Sequence, residues 1–304
     1  MTDVHLGLVA PNYGPGLKPD NLLEAATTAE RARFDSVWVT DHIAVPKELA
    51  PVYGEITEAL VTLAYLAART SSIKLGVSAL VVPQRPPLLT LKQVMSVDYL
   101  AQGRLMLCVA AGWTTQEFEN LGYPMKGRGC RLDTWLDLAQ HAFAEAPCDF
   151  TYLKGDLSIR NAWLAPGLGG QLPEIWVGGH SPSALRRAAR YGVWHPVGRS
   201  LDELRRLAVE FRQLRPDGRV ILRVGVRFAA EPVDGGRDER GRPALIGPSQ
   251  WVAERLLEYM GAGCDGFVVN LDNDRPGLGK RIRQFGEEVR PLLHDLMAMN
   301  RKTT

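Results

Sequence analysis

Apolar and polar residues along this chain follow two rhythms in turn: a short apolar run, then a longer stretch with apolar positions three and four apart. Residues 4–10 form such a run, closed by a loop at 11–16 that carries Pro11, Gly14, Pro15 and Gly16. From Pro19, the residues Leu22, Leu23, Ala26 and Ala29 fall at helical spacing up to Phe34. The alternation then recurs, with strands predicted over 36–40, 73–82 and 104–110 and helices over 57–69, 88–100 and about 132–144. Residues 149–173, with Gly155, Pro166, Gly167, Gly170 and Pro173, read as an extended insertion in the loop region. Strands at 175–177, 192–195, 220–229 and 265–270 follow, separated by helices over 183–190, 201–214, 249–260 (capped by Ser249) and 280–297. The segment 231–247 reads as a mobile loop rich in Gly, Asp and Arg.

Repeated strand–helix units demand a parallel sheet covered by helices. About eight units in 304 residues favour a closed α/β barrel, a (β/α)8 TIM barrel with loop insertions, over an open doubly wound sheet. With no sequence repeat and no linker, a single domain over residues 1–304 is expected.

Composition narrows the function. Thirty-six basic residues stand against 34 acidic ones, for a net charge of +2, and no Lys/Arg stripe suited to nucleic acid appears. No 18-residue apolar run suggests a membrane span. The chain opens directly into a strand, and Cys108, Cys130, Cys148 and Cys264 are widely spaced. Buried free thiols in a cytoplasmic protein are therefore expected, with no disulfides and no zinc.

In a barrel of this kind the strand ends carry the site. Read in turn they are Asn12, Asp41-His42, Ser78, Gly112-Trp113, Gly178-Gly179, His195 and Asn270. Metal-dependent hydrolysis would call for a His-x-His at the first strand end, but that strand ends Ala-Pro-Asn and the six histidines are scattered. Asp41-His42 directly after a strand suits proton transfer near neutral pH, or else a loop cap beside a packed histidine. The stretch 174–190 is more distinctive. Gly178-Gly179 turn the chain after a buried strand, Ser181 suits an N-cap, and Pro182 suits the first helical position. Such a corner aims main-chain N–H groups and the positive end of a helix at one spot, where a phosphate fits; the alternative is an ordinary strand-to-helix turn. Small residues at Ala111 and Gly112 leave room for a flat ring across the barrel mouth.

Several motifs, in order along the chain, resemble the bacterial luciferase-like family of flavin and deazaflavin oxidoreductases. They are Leu75-Gly-Val-Ser-Ala-Leu-Val-Val-Pro-Gln-Arg-Pro-Pro87 with Lys92, Asp98 and Gly103-Arg104-Leu105; Ala111-Gly112-Trp113 with Glu117-Phe118; Arg128-Gly129; and the stretch from Trp176 to Gly192. The resemblance covers nearly the whole chain. It implies a barrel with an insertion that binds reduced FMN or the deazaflavin coenzyme F420. By position it further implies a non-proline cis peptide at Ser78–Ala79 beneath the ring. Cofactor contacts are implied at Ala111, Gly112, Trp113, Val177, Gly178, Gly179 and His180. A catalytic Asp41–His42 pair would sit beside the hydride-transfer position, a structural Asp98–Arg104 ion pair would lie elsewhere, and Arg85 would brace a loop. Two departures stand out: Gly192-Val193-Trp194 is a residue shorter than the usual pattern, and Thr134 replaces an acidic residue after Asp133.

The expected activity is hydride transfer between F420 and a small organic substrate. The alternatives are an FMN-dependent monooxygenase fed by a separate reductase, and a cofactor carrier without catalysis. The resemblance also implies a homodimer. Substrate choice would rest with the loops at 43–56, 114–127, 149–173 and 231–247, where Tyr53, Trp113 and Trp163 are candidate mouth residues.

Overall fold

The computed structural model describes residues 4–154, 157–168, 170–273 and 275–302. Its chain runs β1 (His5–Val9), α1 (Pro19–Arg31), β2 (Ser36–Val39), α2 (Ala50–Tyr53), α3 (Ala59–Ala67), β3 (Lys74–Val81), α4 (Pro87–Leu100) and β4 (Leu105–Ala110). It continues with α5 (Thr115–Asn120), α6 (Arg128–Glu145), β5 (Cys148–Lys154), β6 (Leu157–Leu164), β7 (Glu174–Gly178), α7 (Pro182–Tyr191), β8 (Val193–His195) and α8 (Leu201–Leu214). The last elements are β9 (Arg219–Phe228), β10 (Ala244–Gly247), α9 (Ser249–Gly261), β11 (Gly266–Asn270), α10 (Leu278–Gln284) and α11 (Arg290–Lys302).

The parallel strands pair in the order β9-β11-β1-β2-β3-β4-β7-β8, and β8 pairs back onto β9, closing an eight-stranded barrel. The expected (β/α)8 architecture is therefore what forms. Every barrel strand is buried on both faces, which is why each reads as an almost unbroken apolar run. Period-2 alternation divides the side chains. Leu8, Val37, Val39, Leu75, Val77, Leu107, Val177, Leu222 and Val269 join the core under the helices, whereas Val9, Trp38, Met106, Cys108, Trp176, Ile221 and Val268 fill the barrel. Trp38 stacks on Trp176 with ring centroids 4.4 Å apart, plugging the barrel interior. Glycine makes this possible, since a Cβ at Gly76 would lie 2.4 Å from the Trp38 ring.

Some expectations fail on local grounds. The 149–173 insertion contains an antiparallel pair, β5 with β6, whose Phe150, Tyr152, Ile159 and Leu164 join the core beside α6. The segment 231–247 is tied down by main-chain bonds (Val233 N–H to Ile246 O, Asp238 N–H to Arg242 O) and ends in β10, which extends the sheet along β9. Helix α9 is capped by Pro248, and Ser249 is its first residue, donating instead to Glu288 at 2.5 Å. No Asp98–Arg104 ion pair forms: Arg104 donates to the carbonyls of Ala67, Ile73 and Ala101, and Asp98 accepts from Leu105 N–H. The cysteines are free; Cys108 and Cys264 are buried, while Cys130 is exposed rather than buried as expected and Cys148 is half-buried. Among the described residues no helix is long and apolar enough to cross a membrane.

Candidate active site at the C-terminal mouth of the barrel

The strand ends set the mouth. Asn12 stitches β1 to β2, donating to Thr40 O and accepting from Thr40 N–H, both at 2.8 Å. Beyond β2 the alternation continues, so neighbouring Asp41 and His42 cannot point the same way. Asp41 turns outward: its carboxylate takes Val81 N–H at 2.9 Å and the Arg85 guanidinium at 2.5 Å, and its side chain is fully buried. Burial pushes this carboxyl up, against the pull of Arg85. Arg85 also reaches Glu58 at 2.8 Å, so its bracing role holds. Asp41 therefore ties β2 to β3, and the expected Asp41–His42 pair does not form.

His42 turns inward, and its carboxylate partner is Glu117, a residue that sequence reasoning did not place in the site. His42 Nδ1 lies 2.8 Å from Glu117 Oε2, and both residues are buried. The other Glu117 oxygen accepts Ile43 N–H at 2.6 Å and Ala44 N–H at 3.2 Å. Burial opposes ionisation of Glu117, but the His42 bond and the two N–H groups outweigh it and hold the carboxyl below its usual range. An ionised carboxylate only accepts, so Nδ1 carries the proton and donates, leaving Nε2 bare. Nε2 has no hydrogen-bond partner among the described residues. The ring packs on Tyr53, centroids 4.4 Å apart, and meets the edge of Trp113 at 6.1 Å. Trp113 itself is 61% exposed. Trp163 is exposed on β6 and is not brought to His42.

On the neighbouring strand β3, the peptide between Ser78 and Ala79 is cis, where β3 slips its register against β4. Ser78 Oγ lies 2.9 Å from His195 Nε2, and His195 Nδ1 lies 2.6 Å from Ile221 O. The carbonyl can only accept, so His195 donates from Nδ1 and its bare Nε2 accepts a hydrogen bond from the Ser78 hydroxyl. Burial drives its pKa down to about 3, so it stays neutral. The short Gly192-Val193-Trp194 turn thus still delivers His195 into the barrel. Beside it Arg223, another residue missed from the sequence, donates to Ser78 O at 2.7 Å and to Thr40 Oγ1 at 2.9 Å while itself buried.

The Gly178-Gly179 corner takes its expected form. Ser181 caps α7, accepting from Ala184 N–H at 3.3 Å, and Pro182 is the first helical residue. The main-chain N–H groups of His180, Ser181 and Ser183 have no acceptor among the described residues. Inside the corner the floor is made of small groups: a Cβ at Gly178 would meet Ala79, Cys108 and Ala110 at 3.5–3.6 Å. Two of the implied contact residues behave otherwise. Val177 faces the helix layer, so only its main chain borders the mouth. Gly112, with φ of +84°, is required by packing, because a Cβ there would lie 2.6 Å from Val81 Cγ1. Ala111 packs partly against the core, and Gly179 and His180 are exposed.

The 231–247 segment lies over the other side of the mouth. The Arg240 guanidinium sits 4.8 Å from the Tyr13 ring centre and 4.7 Å from that of Tyr53, and donates to Tyr53 Oη at 3.0 Å. Arg242 donates to the same oxygen at 3.2 Å. A cavity of about 80 Å³ adjoins this cluster, between Tyr13, Arg240 and Asn270.

Comparison with known proteins places this geometry. Residues 4–232 match the model of a family described as luciferase-like monooxygenase. A protein of Mycobacterium tuberculosis with no described function is 31% identical over an alignment of 206 positions that covers 63% of this chain and 70% of that one. Among solved structures, an F420-dependent secondary alcohol dehydrogenase bound to an F420–acetone adduct superposes with a TM-score of 0.79 at 15% identity, covering 96% of this chain and 99% of the other. The oxygenating constituent of 3,6-diketocamphane monooxygenase from Pseudomonas putida, in complex with FMN, superposes with a TM-score of 0.76 at 17% identity, covering 95% and 98%.

Proposed function

This chain belongs to the luciferase-like monooxygenase family, and within it we propose an oxidoreductase that passes a hydride between coenzyme F420 and a small organic substrate. The observation that carries this reading is the buried His42–Glu117 pair, which leaves Nε2 without a hydrogen-bond partner among the described residues. When bound, the deazaflavin supplies the carbon that gives or accepts hydride. The residues fit such a group: the small-residue floor at Ala79, Ala110 and Gly178 leaves space a side chain would fill. The N–H groups of His180, Ser181 and Ser183 provide donors for a phosphate.

In the oxidative direction His42 Nε2 takes the proton of a substrate hydroxyl while hydride leaves the adjoining carbon; in the reductive direction Nε2 returns it. Glu117 fixes the ring and its tautomer, and stabilises the imidazolium formed when Nε2 is loaded. Tyr53 and Trp113 pack around the ring and keep water from it.

The second reading, an FMN-dependent monooxygenase served by a separate reductase, is favoured by the likeness to an FMN-bound oxygenating subunit. Titrating the purified protein with each cofactor separates the two: F420 is expected to bind more tightly, and FMN binding much the tighter would overturn F420 dependence. Bound cofactor with no hydride transfer across a panel of alcohols, aldehydes, ketones and enones would indicate a carrier instead. A homodimer belongs to the same reading, and light scattering that finds a monomer would contradict it.

A further inference from the structure

Three guanidinium groups gather about Tyr13 and Tyr53, the ring on which His42 packs: Arg223 from the barrel strand β9, and Arg240 and Arg242 from the 231–247 segment. None of them reaches a carboxylate within ion-pairing distance among the described residues. Arg223 spends its donors on Ser78 O, Ser78 Oγ and Thr40 Oγ1; Arg240 and Arg242 spend theirs on Tyr53 Oη. All of these acceptors are neutral. Among the described residues three acids line the adjoining cavity, Asp238, Glu239 and Asp272, and Asp272 is held by Arg227 at 2.9 Å. Asp238 turns its Oδ1 to the main-chain N–H groups of Arg240 and Arg242, both at 2.9 Å, and Glu239 lies between Arg227 at 3.8 Å and Arg275 at 3.6 Å. The concentration of positive charge is felt by Tyr13: burial pushes its hydroxyl up, but Arg223, Arg240 and Arg242 together bring it below its usual value. Asp238 acts on Arg240 through space, so among the described residues the cleft gathers three cations against one acid not already beside Arg227 or Arg275, and an anionic ligand relieves the remaining cost.

We propose that this cluster is the subsite for a carboxylate on the substrate, with Arg240 and Arg242 as its direct ligands and Arg223 as the buried charge beneath. The inference rests on the oxidoreductase reading above and names its substrate class: an organic acid whose reacting carbon lies next to His42. The spacing suits this. Arg240 Cζ lies 4.7 Å and the His42 ring 4.4 Å from the Tyr53 ring centre, so the anion's anchor and the proton-transfer group are no more than about 9 Å apart. A guanidinium lying against aromatic faces presents its remaining N–H donors edge-on, in the planar fork that matches a carboxylate.

The test uses hexanoate and its neutral isostere hexanamide, with binding followed by calorimetry on the purified protein, first without cofactor and then with saturating F420 or FMN. Hexanoate is expected to bind about tenfold tighter than hexanamide or better. That preference should fall with added salt, and should be lost in Arg240→Met and in Arg242→Met but kept in Arg206→Met, on the outer face of α8. Equal binding of the two probes, or a preference that survives both mouth substitutions, overturns the subsite. Competitive displacement of hexanoate by the cofactor also overturns it, because the anion site would then serve the cofactor's own tail. If a variant does not fold, the salt dependence of the wild-type preference decides: none means no cationic subsite. The first measurement needs no cofactor, so it stands or falls separately from the choice of coenzyme.

Discussion

Replacing Glu117 with Gln tests the proton-transfer pair without emptying the space it fills. In the native site Oε1 accepts Ile43 N–H and Ala44 N–H, and Oε2 accepts His42 Nδ1. The amide has one oxygen and one donor group, and two orientations compete. Turning its oxygen to His42 would set N–H against two main-chain N–H groups; keeping it on Ile43 and Ala44 preserves both of those bonds. The second orientation wins and presents NH₂ to His42 Nδ1, which must then accept. The imidazole proton moves to Nε2, the nitrogen that should be free. A hydrogen bond to a charged group contributes about 1.5–3 kcal/mol, so the chemical step should slow by roughly 10- to 150-fold. Cofactor affinity and melting temperature should change little. Glu117→Ala, which strips acceptors from Ile43 and Ala44, should in addition unfold at lower temperature. Long-range ¹⁵N–¹H spectra of the imidazole give a readout independent of turnover: Nδ1 protonated in the native protein, Nε2 protonated in the Gln variant at neutral pH. A native ring with bare Nδ1, or a Gln variant that turns over at the native rate, refutes the assignment.

Other predictions follow from burial. The Asp98 carboxyl rises from 3.8 to about 6 because it is desolvated. The folded state therefore keeps its proton over a range where the unfolded chain has lost it, and stability falls as pH rises through that range. Asp98→Asn, still able to accept from Leu105 N–H, should stabilise by about 1–3 kcal/mol at pH 8 and by nothing near pH 4; equal gains at both pH values, read from denaturant midpoints, would count against it. For His195 the sign is opposite. Its pKa falls from 6.5 to about 3, so stability is complete above 6.5 and drains away as pH falls toward 3, by about 2 kcal/mol at pH 5 from this residue alone. His195→Gln, which can donate to Ile221 O and accept from Ser78, should narrow the difference between midpoints at pH 7.5 and 5. Gly178→Val should fold, since a Cβ there makes ordinary contacts at 3.5–3.6 Å. Its further methyl groups should weaken cofactor binding by about tenfold or more, and unchanged affinity would remove Gly178 from the cofactor floor.

The barrel was legible because its strands are doubly buried and its helices carry one apolar face, so the two periods separate cleanly. The β5–β6 pair was not, since its strands are half-exposed and set among glycines and prolines. The division of labour between Asp41 and His42 lay within reach of the sequence. Counting outward–inward along Val37, Trp38, Val39 and Thr40 already sends one of the two residues away from the mouth. Arg223 had a signal too, as a charged residue at an inward position of the apolar run 220–224. Glu117 had only its family motif, because no local pattern reveals that α5 closes over a histidine 75 residues earlier. Arg240 had none: its place over Tyr13 and Tyr53 is fixed by a turn whose geometry depends on Asp238.

These differences follow a physical division within the site. The phosphate corner and the small-residue floor consist of main chain and absent side chains, features set by glycine, proline and a helix cap, and hence readable from residue type. On the proposed reading they would recognise what FMN and F420 share, a flat ring and a phosphorylated tail, and so would do little to discriminate between them. Selectivity has to come from groups that carry charge and protons, which here are His42 with Glu117 on one side of the mouth and the arginine cluster on the other. Those groups are assembled from strands and loops far apart in sequence, and their function depends on ångström-scale placement. A change at Gly178 should therefore affect any cofactor the barrel accepts, whereas changes at Glu117 or Arg240 should affect chemistry and substrate choice with the cofactor still bound. Measuring affinity and turnover on the same variants would show whether the two halves of the mouth separate in this way; a Glu117 or Arg240 variant that loses cofactor as fully as Gly178→Val would mean that they do not.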